Sequence, residues 1–363
     1  TSAADAGRSY VVFGKASTTA VNLSAIAAST GGFVINGQCG SDNSGFVVSS
    51  AGDVNGDGLA DLVVGALNSD PSLVASAGRT YVVFGQTGTT AIDLSAIVAG
   101  TGGFVINGQC LGDYSGRGVA SAGDVNGDGL EDFFVGGAKF NSGIFYVQQA
   151  TGKFSAKYLE GVAEKKEKLG EDLGSLLIDM DRDGDLDLYI ARGGTEGQIG
   201  ATSLQDVIYS NDGKGNFSLV TSALPAFTES NAAVRAVDFD KDGDLDLYVS
   251  GRNVPFSYPQ GTTSRLLRND SKSGSIKYTD LTAKWAPDLL KPALACDAVW
   301  TDVNNDGWSD LVVAGEFMPI QIYQNEKGHL VKLENTGLEE ISGLWGSVAA
   351  ADFDQDGDMD FVA

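Results

Sequence analysis

Short apolar runs of strand length recur along the chain, separated by turns rich in Gly, Asn and Asp. Typical runs are DLVVGA at 61–66, DLYVSG at 246–251 and DLVVAG at 310–315. Apolar runs of this length bounded by turn residues predict β-strands. Helical periodicity is nearly absent; the segments 160–170 and 281–290 could each hold a helical turn, but we expect loops there. No run approaches the roughly 18 residues of a membrane span. The pattern predicts an all-β protein.

The chain also repeats itself. SAGDVNGDGL at 50–59 returns unchanged at 121–130, and AGRSYVVFGK at 6–15 returns as AGRTYVVFGQ at 77–86. Six nonapeptides share the frame D-x-[DN]-x-D-G-x-x-D, and they begin 71, 55, 59, 64 and 50 residues apart. This spacing is typical of four-stranded propeller blades. The six nonapeptides are 53–61, 124–132, 179–187, 238–246, 302–310 and 352–360.

The two ends of the chain complement each other. The last residues, MDFVA, form the strand that follows the sixth nonapeptide, whereas the segments near 6–38 resemble those that follow this strand in other repeats. Joined together they would make one complete blade, and such closure removes sheet edges. We therefore predict one domain, 1–363, built as a β-propeller of six four-stranded blades closed by both termini. A seven-bladed propeller, or a fragment of one, is the alternative.

The nonapeptides have the chemistry of calcium loops. Calcium takes 6–8 oxygen ligands from carboxylates, amide oxygens and carbonyls. Positions 1, 3, 5 and 9 carry Asp or Asn, and Gly at position 6 permits a sharp turn that brings the carbonyl of position 7 to the ion. The predicted ligands are Asp53, Asn55, Asp57, Leu59 and Asp61; Asp124, Asn126, Asp128, Leu130 and Asp132; Asp179, Asp181, Asp183, Asp185 and Asp187; Asp238, Asp240, Asp242, Asp244 and Asp246; Asp302, Asn304, Asp306, Trp308 and Asp310; and Asp352, Asp354, Asp356, Asp358 and Asp360.

An EF-hand begins in the same way but requires Glu at position 12. Position 12 is apolar in all six repeats, as at Val64 and Val313, so the loops are not EF-hands. An Asp-rich turn without metal is the other alternative, but crowded carboxylates repel one another unless a cation lies among them. The chain has 48 acidic and 24 basic residues and a net charge of −24, which six calcium ions would halve. We predict about six structural Ca²⁺ ions.

These motifs resemble the FG-GAP repeats of integrin α-subunit propellers and their bacterial relatives. The resemblance lies in YVVFG at 10–14 and 81–85, and in DLVVGA following a D-x-N-x-D-G loop. From about residue 170, DLDLYV and NDGKGNF are more similar to the related VCBS repeats of secreted bacterial proteins. This resemblance implies an extracellular or cell-surface protein. The repeat style changes near residue 140, which a chimeric or engineered origin would explain.

Function is expected at the propeller face opposite the loops. There the long connection 251–264 is rich in aromatic residues, and we predict ligand contacts from Arg252, Phe256 and Tyr258, with Trp345 nearby. The sequence has one histidine and predicts no catalytic residues. We expect a binding or adhesion module for a protein or a carbohydrate, acting as a monomer or as part of a larger chain. A polysaccharide lyase or glycosidase, and a purely architectural domain, are alternatives. The acidic charge argues against nucleic-acid partners, and no membrane insertion is expected.

Overall fold

Each nonapeptide loop of the described chain connects two antiparallel strands. A computed structural model describes residues 6–13, 22–108, 114–194, 202–351 and 359–362. It divides into two compact units, Thr1–Lys168 and Leu169–Ala363. The predicted all-β class is confirmed.

The first unit contains eleven strands among its described residues. In chain order they are β1 Arg8–Val12, β2 Gly32–Asn36, β3 Ser44–Gly52, β4 Asp61–Ala66, β5 Arg79–Val83, β6 Ile92–Asp93, β7 Gly103–Asn107, β8 Val119–Gly123, β9 Asp132–Val135, β10 Ile144–Gln148 and β11 Phe154–Tyr158. They form two four-stranded antiparallel sheets, β3-β4-β5-β7 and β8-β9-β10-β11. A third sheet, β1-β2-β6, contains a parallel pairing of β2 with β6.

The second unit contains fifteen described strands. They are β12 Glu171–Ile178, β13 Asp187–Gly193, β14 Val207–Asn211, β15 Phe217–Leu219, β16 Ser230–Val237, β17 Asp246–Asn253, β18 Arg265–Asn269, β19 Tyr278–Asp280, β20 Ala295–Thr301, β21 Asp310–Pro319, β22 Gln321–Asn325, β23 Leu330–Lys332, β24 Ser342–Leu344, β25 Ala349–Ala351 and β26 Asp360–Val362. Three sheets follow chain order, β12 to β15, β16 to β19 and β20 to β23; β24 pairs with the end of β21, and β25 pairs with β26.

Four-stranded antiparallel units thus confirm the predicted blade type, and β24 is an unexpected fifth strand in one sheet. The number of blades in a closed ring, and its completion by both termini, stay predictions.

Helical structure is limited to short turns within the described residues. The helices are α1 Leu23–Ala27, α2 Leu94–Val98 and α3 Thr282–Trp285, with 3-10 turns at Pro71–Leu73, Thr202–Leu204 and Pro287–Leu290. The expectation of a loop at 281–290 was therefore wrong, whereas 160–170 contains no helix. In the described part of the chain, no helix has the length and apolarity to cross a membrane.

Apolar side chains fill the space between successive sheets of each unit. In β17, Leu247 and Val249 pack in one buried cluster with Tyr189 of the preceding sheet. Tyr248 points the other way and packs with Leu311 of the following sheet. Successive strand residues face opposite sides, so a strand covered on both sides must be apolar throughout. This explains why the strand after each loop is a continuous apolar run.

A buried carboxylate, Asp206, joins β13, β14 and β16 in the second unit. Its oxygens accept hydrogen bonds from the Tyr189 hydroxyl at 2.6 Å, the Arg192 amide at 2.7 Å and the Asn231 side-chain amide at 2.9 Å. Burial nevertheless raises the pKa of Asp206 to about 7. The folded protein therefore favours the protonated carboxyl over a wider pH range than the unfolded chain does.

The Asp206 network predicts a pH-dependent stability. Because the folded pKa of Asp206 lies above its ordinary value of 3.8, its contribution is complete below that value and is lost as pH rises towards 7. The free energy of unfolding should fall by at most about 4 kcal/mol over this range from Asp206 alone. Denaturant titrations at saturating calcium should show a smaller decrease for Asp206→Asn. Equal pH slopes for the two proteins would contradict this role of Asp206.

Candidate metal loops and an aromatic surface

The loops are shaped by hydrogen bonds from their own backbone to their carboxylates. In the loop 53–61, Asp53 accepts the amides of Asp57 at 3.0 Å and Gly58 at 2.7 Å. Gly58 has a φ of 86°, a left-handed conformation that glycine adopts without strain. The glycine at position 6 of the other described loops has a similar φ, between 83° and 99°. The predicted sharp turn at position 6 is present in these loops.

The aspartate at position 9 has a second role, which the sequence did not reveal. Asp310 is fully buried, and its two oxygens accept the Val303 amide within the loop at 3.0 Å and the Asn325 amide at the end of β22 at 2.6 Å. Asp246 does the same with Phe239 and Asn269. The equivalent residues are Asp61, Asp132 and Asp187, which are also fully buried. Each of these five aspartates therefore connects its loop to the end of the third strand of its own sheet or, for Asp61, to the backbone just after that strand.

Burial raises the pKa of all five of these carboxyl groups. Desolvation raises the pKa of Asp132 and Asp187 to about 6 and that of Asp246 to about 8. The pKa values of Asp61 and Asp310 are raised by the same cause. A nearby cation would offset this cost, because it favours the ionised form.

The last residue of the third strand also reaches the preceding repeat. The side-chain amide of Asn269 donates to the Met180 carbonyl at 2.9 Å, and that of Asn325 donates to the Phe239 carbonyl at 2.8 Å. In the first unit, Gln148 donates in the same way to the Val54 carbonyl. Each acceptor is position 2 of a nonapeptide loop. These hydrogen bonds connect each of the three loops to the next sheet along the chain.

Neighbouring loops of the second unit also touch through positions 4 and 7. Arg182, at position 4 of loop 179–187, forms an ion pair with Asp244, at position 7 of the next loop. Lys241 occupies position 4 of that loop and places its ammonium group 4.2 Å from the ring centroid of Trp308, at position 7 of the following loop. Side chains at position 7, predicted to contribute only a carbonyl, therefore also connect adjacent loops.

Two of the five described loops bring three carboxylates together. Asp179, Asp181 and Asp187 each offer an oxygen, and these atoms lie within 4.8 Å of one another; Asp238, Asp240 and Asp246 do the same. The Oδ1 atoms of Asp181 and Asp238 are buried without a hydrogen-bond partner. An unpaired buried carboxylate oxygen is costly unless a cation compensates it. These two loops fit a hard cation such as calcium.

The other predicted ligands have different surroundings. Asp183 and Asp242 at position 5 lie outside the two three-carboxylate groups and accept the amides of Asp185 and Asp244. In the loops 53–61, 124–132 and 302–310, Asn at position 3 reduces the number of carboxylates. Asp352, Asp354, Asp356 and Asp358 lie outside the described residues, and only the backbone of Asp360 is described.

A polar cluster forms at the opposite ends of β17 and β21 from the loops. Glu316 accepts hydrogen bonds from the Arg252 guanidinium at 2.8 Å and from the Tyr258 hydroxyl at 2.8 Å. The ring of Tyr258 lies 6.3 Å from that of Phe317. The exposed fractions of Phe256, Tyr258 and Phe317 are 73%, 53% and 58%. We call these three exposed rings, with Arg252 and Glu316, the aromatic surface.

The structure brings together two of the predicted contact residues, Arg252 and Tyr258, through Glu316, and their contact with a ligand stays a prediction. Phe317 was missed; its φ of 56° turns the residue away from the regular strand, a feature that the strand pattern does not signal. Trp345 lies beside the surface but is half-buried, with its indole N–H donating to the Met318 carbonyl at 3.0 Å. Trp345 therefore supports the adjoining backbone.

Contacts within the aromatic surface shift the pKa of two of its polar groups. Burial raises the pKa of Glu316, but the hydrogen bonds from Arg252 and Tyr258 outweigh it, so the pKa lies below its usual value. The hydrogen bond to Glu316 raises the pKa of Tyr258. Glu316 therefore stays ionised and Tyr258 stays protonated at neutral pH.

Comparison with known proteins gives a family and a fold. The FG-GAP-like repeat family matches residues 124–190, 179–249 and 302–363, which together exceed half of the chain, and the FG-GAP repeat family matches 44–83. One similar solved structure is that of an Agrocybe aegerita lectin, described as specifically recognising non-reducing terminal N-acetylglucosamine. The similarity covers 87% of this chain and 73% of the lectin chain. The TM-score is 0.51 and the identity is 15%, so the likeness concerns the fold. No curated protein matches the chain significantly.

The position 9 contacts predict a loss of stability that does not require metal. Asp310→Asn removes one acceptor and leaves a backbone N–H buried without a partner, which should lower the free energy of unfolding by about 2–3 kcal/mol. Asp306→Asn changes an exposed carboxylate of the same loop and should cost less than about 1 kcal/mol. Denaturant unfolding in EDTA compares the two variants. Equal losses of unfolding free energy in the two variants would show that the hydrogen bonds to buried Asp310 contribute no more to stability than those to exposed Asp306.

Proposed function

The chain belongs to the family of FG-GAP-like repeat proteins, and we propose that it is a calcium-stabilised extracellular module that binds a glycan through its aromatic surface. The two roles lie at opposite ends of the strands. The loops hold calcium and stabilise the repeats, while the aromatic surface meets the ligand.

The calcium part of the proposal is supported by the two three-carboxylate groups, at 179–187 and 238–246. Asp179, Asp181 and Asp187 would supply oxygens to one ion, and Asp238, Asp240 and Asp246 to another. The shared frame extends the same ligand positions to the other four nonapeptides. Magnesium is a poorer candidate, because it rarely binds in a cage made entirely of protein ligands. Calcium at extracellular concentration would suit loops of this kind.

The observation that carries the binding role is the exposure of three aromatic rings on the segments that hold the ion pair of Arg252 with Glu316. Phe256, Tyr258 and Phe317 expose more than half of their surface, whereas the other described aromatic residues of the second unit are buried or half-buried. Exposed apolar groups rimmed by polar side chains are typical of ligand-binding surfaces. Rings can cover the apolar face of a sugar, while Arg252 and Glu316 offer a donor and an acceptor to its hydroxyl groups.

Charge narrows the class of glycan. The chain carries a net charge of −24, and a field of that sign disfavours polyanions. Calcium in the loops would reduce this charge without reversing it. We therefore favour neutral glycans, and the lectin with a similar fold makes glycans ending in N-acetylglucosamine the first ones to test.

A lyase or glycosidase acting at the same surface has less support. Such an enzyme needs a general base or acid whose pKa lies near the working pH. The hydrogen bond to Glu316 raises the pKa of Tyr258, and the pKa of Glu316 is lowered. Both shifts move the groups away from the range that proton transfer requires. An architectural role would leave the exposed rings unexplained.

The glycan proposal predicts selective losses of binding. Phe256→Ala and Phe317→Ala should each weaken binding of a glycan found on a neutral-glycan array by about tenfold, or about 1.4 kcal/mol, because each removes a ring that covers the sugar. Tyr258→Phe keeps the ring and should weaken binding less. Isothermal titration provides the measurement, and Phe46→Ala, at an exposed phenylalanine of β3, is the control. Equal effects of the control and surface variants, or the release of reducing or unsaturated ends, would contradict the proposal.

Calcium removal should destabilise the folded protein. Each site adds about 2.7 kcal/mol when free calcium exceeds its Kd a hundredfold. Differential scanning calorimetry in calcium and in EDTA should therefore show a large decrease in Tm on chelation. An unchanged Tm would exclude a stabilising role for calcium.

A further inference from the structure

Resting on the proposed role of calcium, we infer that the loops form two affinity classes set by the residue at position 3. Loops 179–187 and 238–246 carry Asp at this position, in Asp181 and Asp240, and bind calcium tightly. Loops 53–61, 124–132 and 302–310 carry Asn and bind it more weakly. The nonapeptide 352–360 carries Asp354 and joins the tight class by its sequence.

The Asn loops partly satisfy their own polar groups. In loop 302–310, the Asn304 amide donates to Asp306 Oδ2 at 3.0 Å, and Asn304 Oδ1 accepts the Asp306 backbone amide at 3.0 Å. The loop 53–61 repeats both contacts, at 2.9 Å each, between Asn55 and Asp57. The amide thus satisfies one oxygen of the position 5 carboxylate with a hydrogen bond. A cation entering such a loop must compete with this contact.

The Asp loops have no such internal donor at position 3, because a carboxylate only accepts. Asp181 is 3% exposed, and its Oδ1 atom has no hydrogen-bond partner although it lies among carboxylates. A buried aspartate that has an unpaired oxygen and lies in a group of three carboxylates indicates a place for a cation. The geometry itself, rather than the number of acids alone, separates this loop from the Asn loops.

The number of carboxylates in each loop should then determine its relative affinity for calcium. The two Asp loops carry four carboxylates at positions 1, 3, 5 and 9, and the Asn loops carry three. Calcium affinity in oxygen cages rises with ligand charge and depends on the rigidity of the site.

The test exchanges one residue in each class. Chelator-stripped protein is titrated with Ca²⁺ alone by isothermal titration, which should show two populations differing in Kd by about tenfold or more. Asp181→Asn should remove one site from the tight population. Asn304→Asp, the reverse exchange at the same position of an Asn loop, should add one. The combined variant should restore the original number of tight sites.

The outcomes separate this inference from the proposed function. A single population of equal sites, or tight-site numbers unchanged by both exchanges, would overturn the two classes while leaving a calcium-stabilised module standing. No calcium binding to the folded chain would overturn both. Circular dichroism of each variant in calcium confirms that the titrated protein is folded.

Discussion

A buried carboxylate that accepts two backbone amides is the contact on which each described repeat depends. The position 9 aspartate begins the second strand, and it binds one amide of its own loop and one at the end of the third strand. It is fully buried at each described loop. Its removal would leave N–H groups from two segments without partners at once. The loop, the first two strands and the third strand are thereby held in one register. That register positions the loop at one end of the sheet and the side chains at the opposite end.

The two ends of the second strand then carry different chemistry. In β21, Asp310 begins the strand at the loop, and Glu316 lies near its other end, beside Tyr258 and Arg252. The apolar residues between them are covered on both sides by neighbouring sheets. In the proposed function, calcium bound at the loops would not need to approach the ligand in order to affect its binding. It would act by stabilising the strands from which the aromatic surface projects.

Much of this arrangement could be predicted from the sequence, because repetition amplifies a weak local signal. The nonapeptide frame predicted where each repeat begins, and the apolar run after it predicted a β-strand. The double role of Asp246 could not be predicted, since its partner Asn269 lies far along the chain and donates through its backbone. The exposure of Phe317 depends on a local φ of 56°. The helix α2 was missed because LSAIV is too short to show a helical period.

Amide hydrogen exchange, measured with and without calcium under conditions in which the chain stays folded, tests the central claim most directly. The backbone amides of Asn269 and Asn325 donate to buried aspartates, so they should remain protected in EDTA. The amides of Gly243 and Gly307 donate to position 1 carboxylates in exposed turns and should become protected only when calcium is added. If the Asn269 and Asn325 amides instead exchanged in EDTA as fast as those of the two glycines, the buried carboxylate would not be what holds the repeats together.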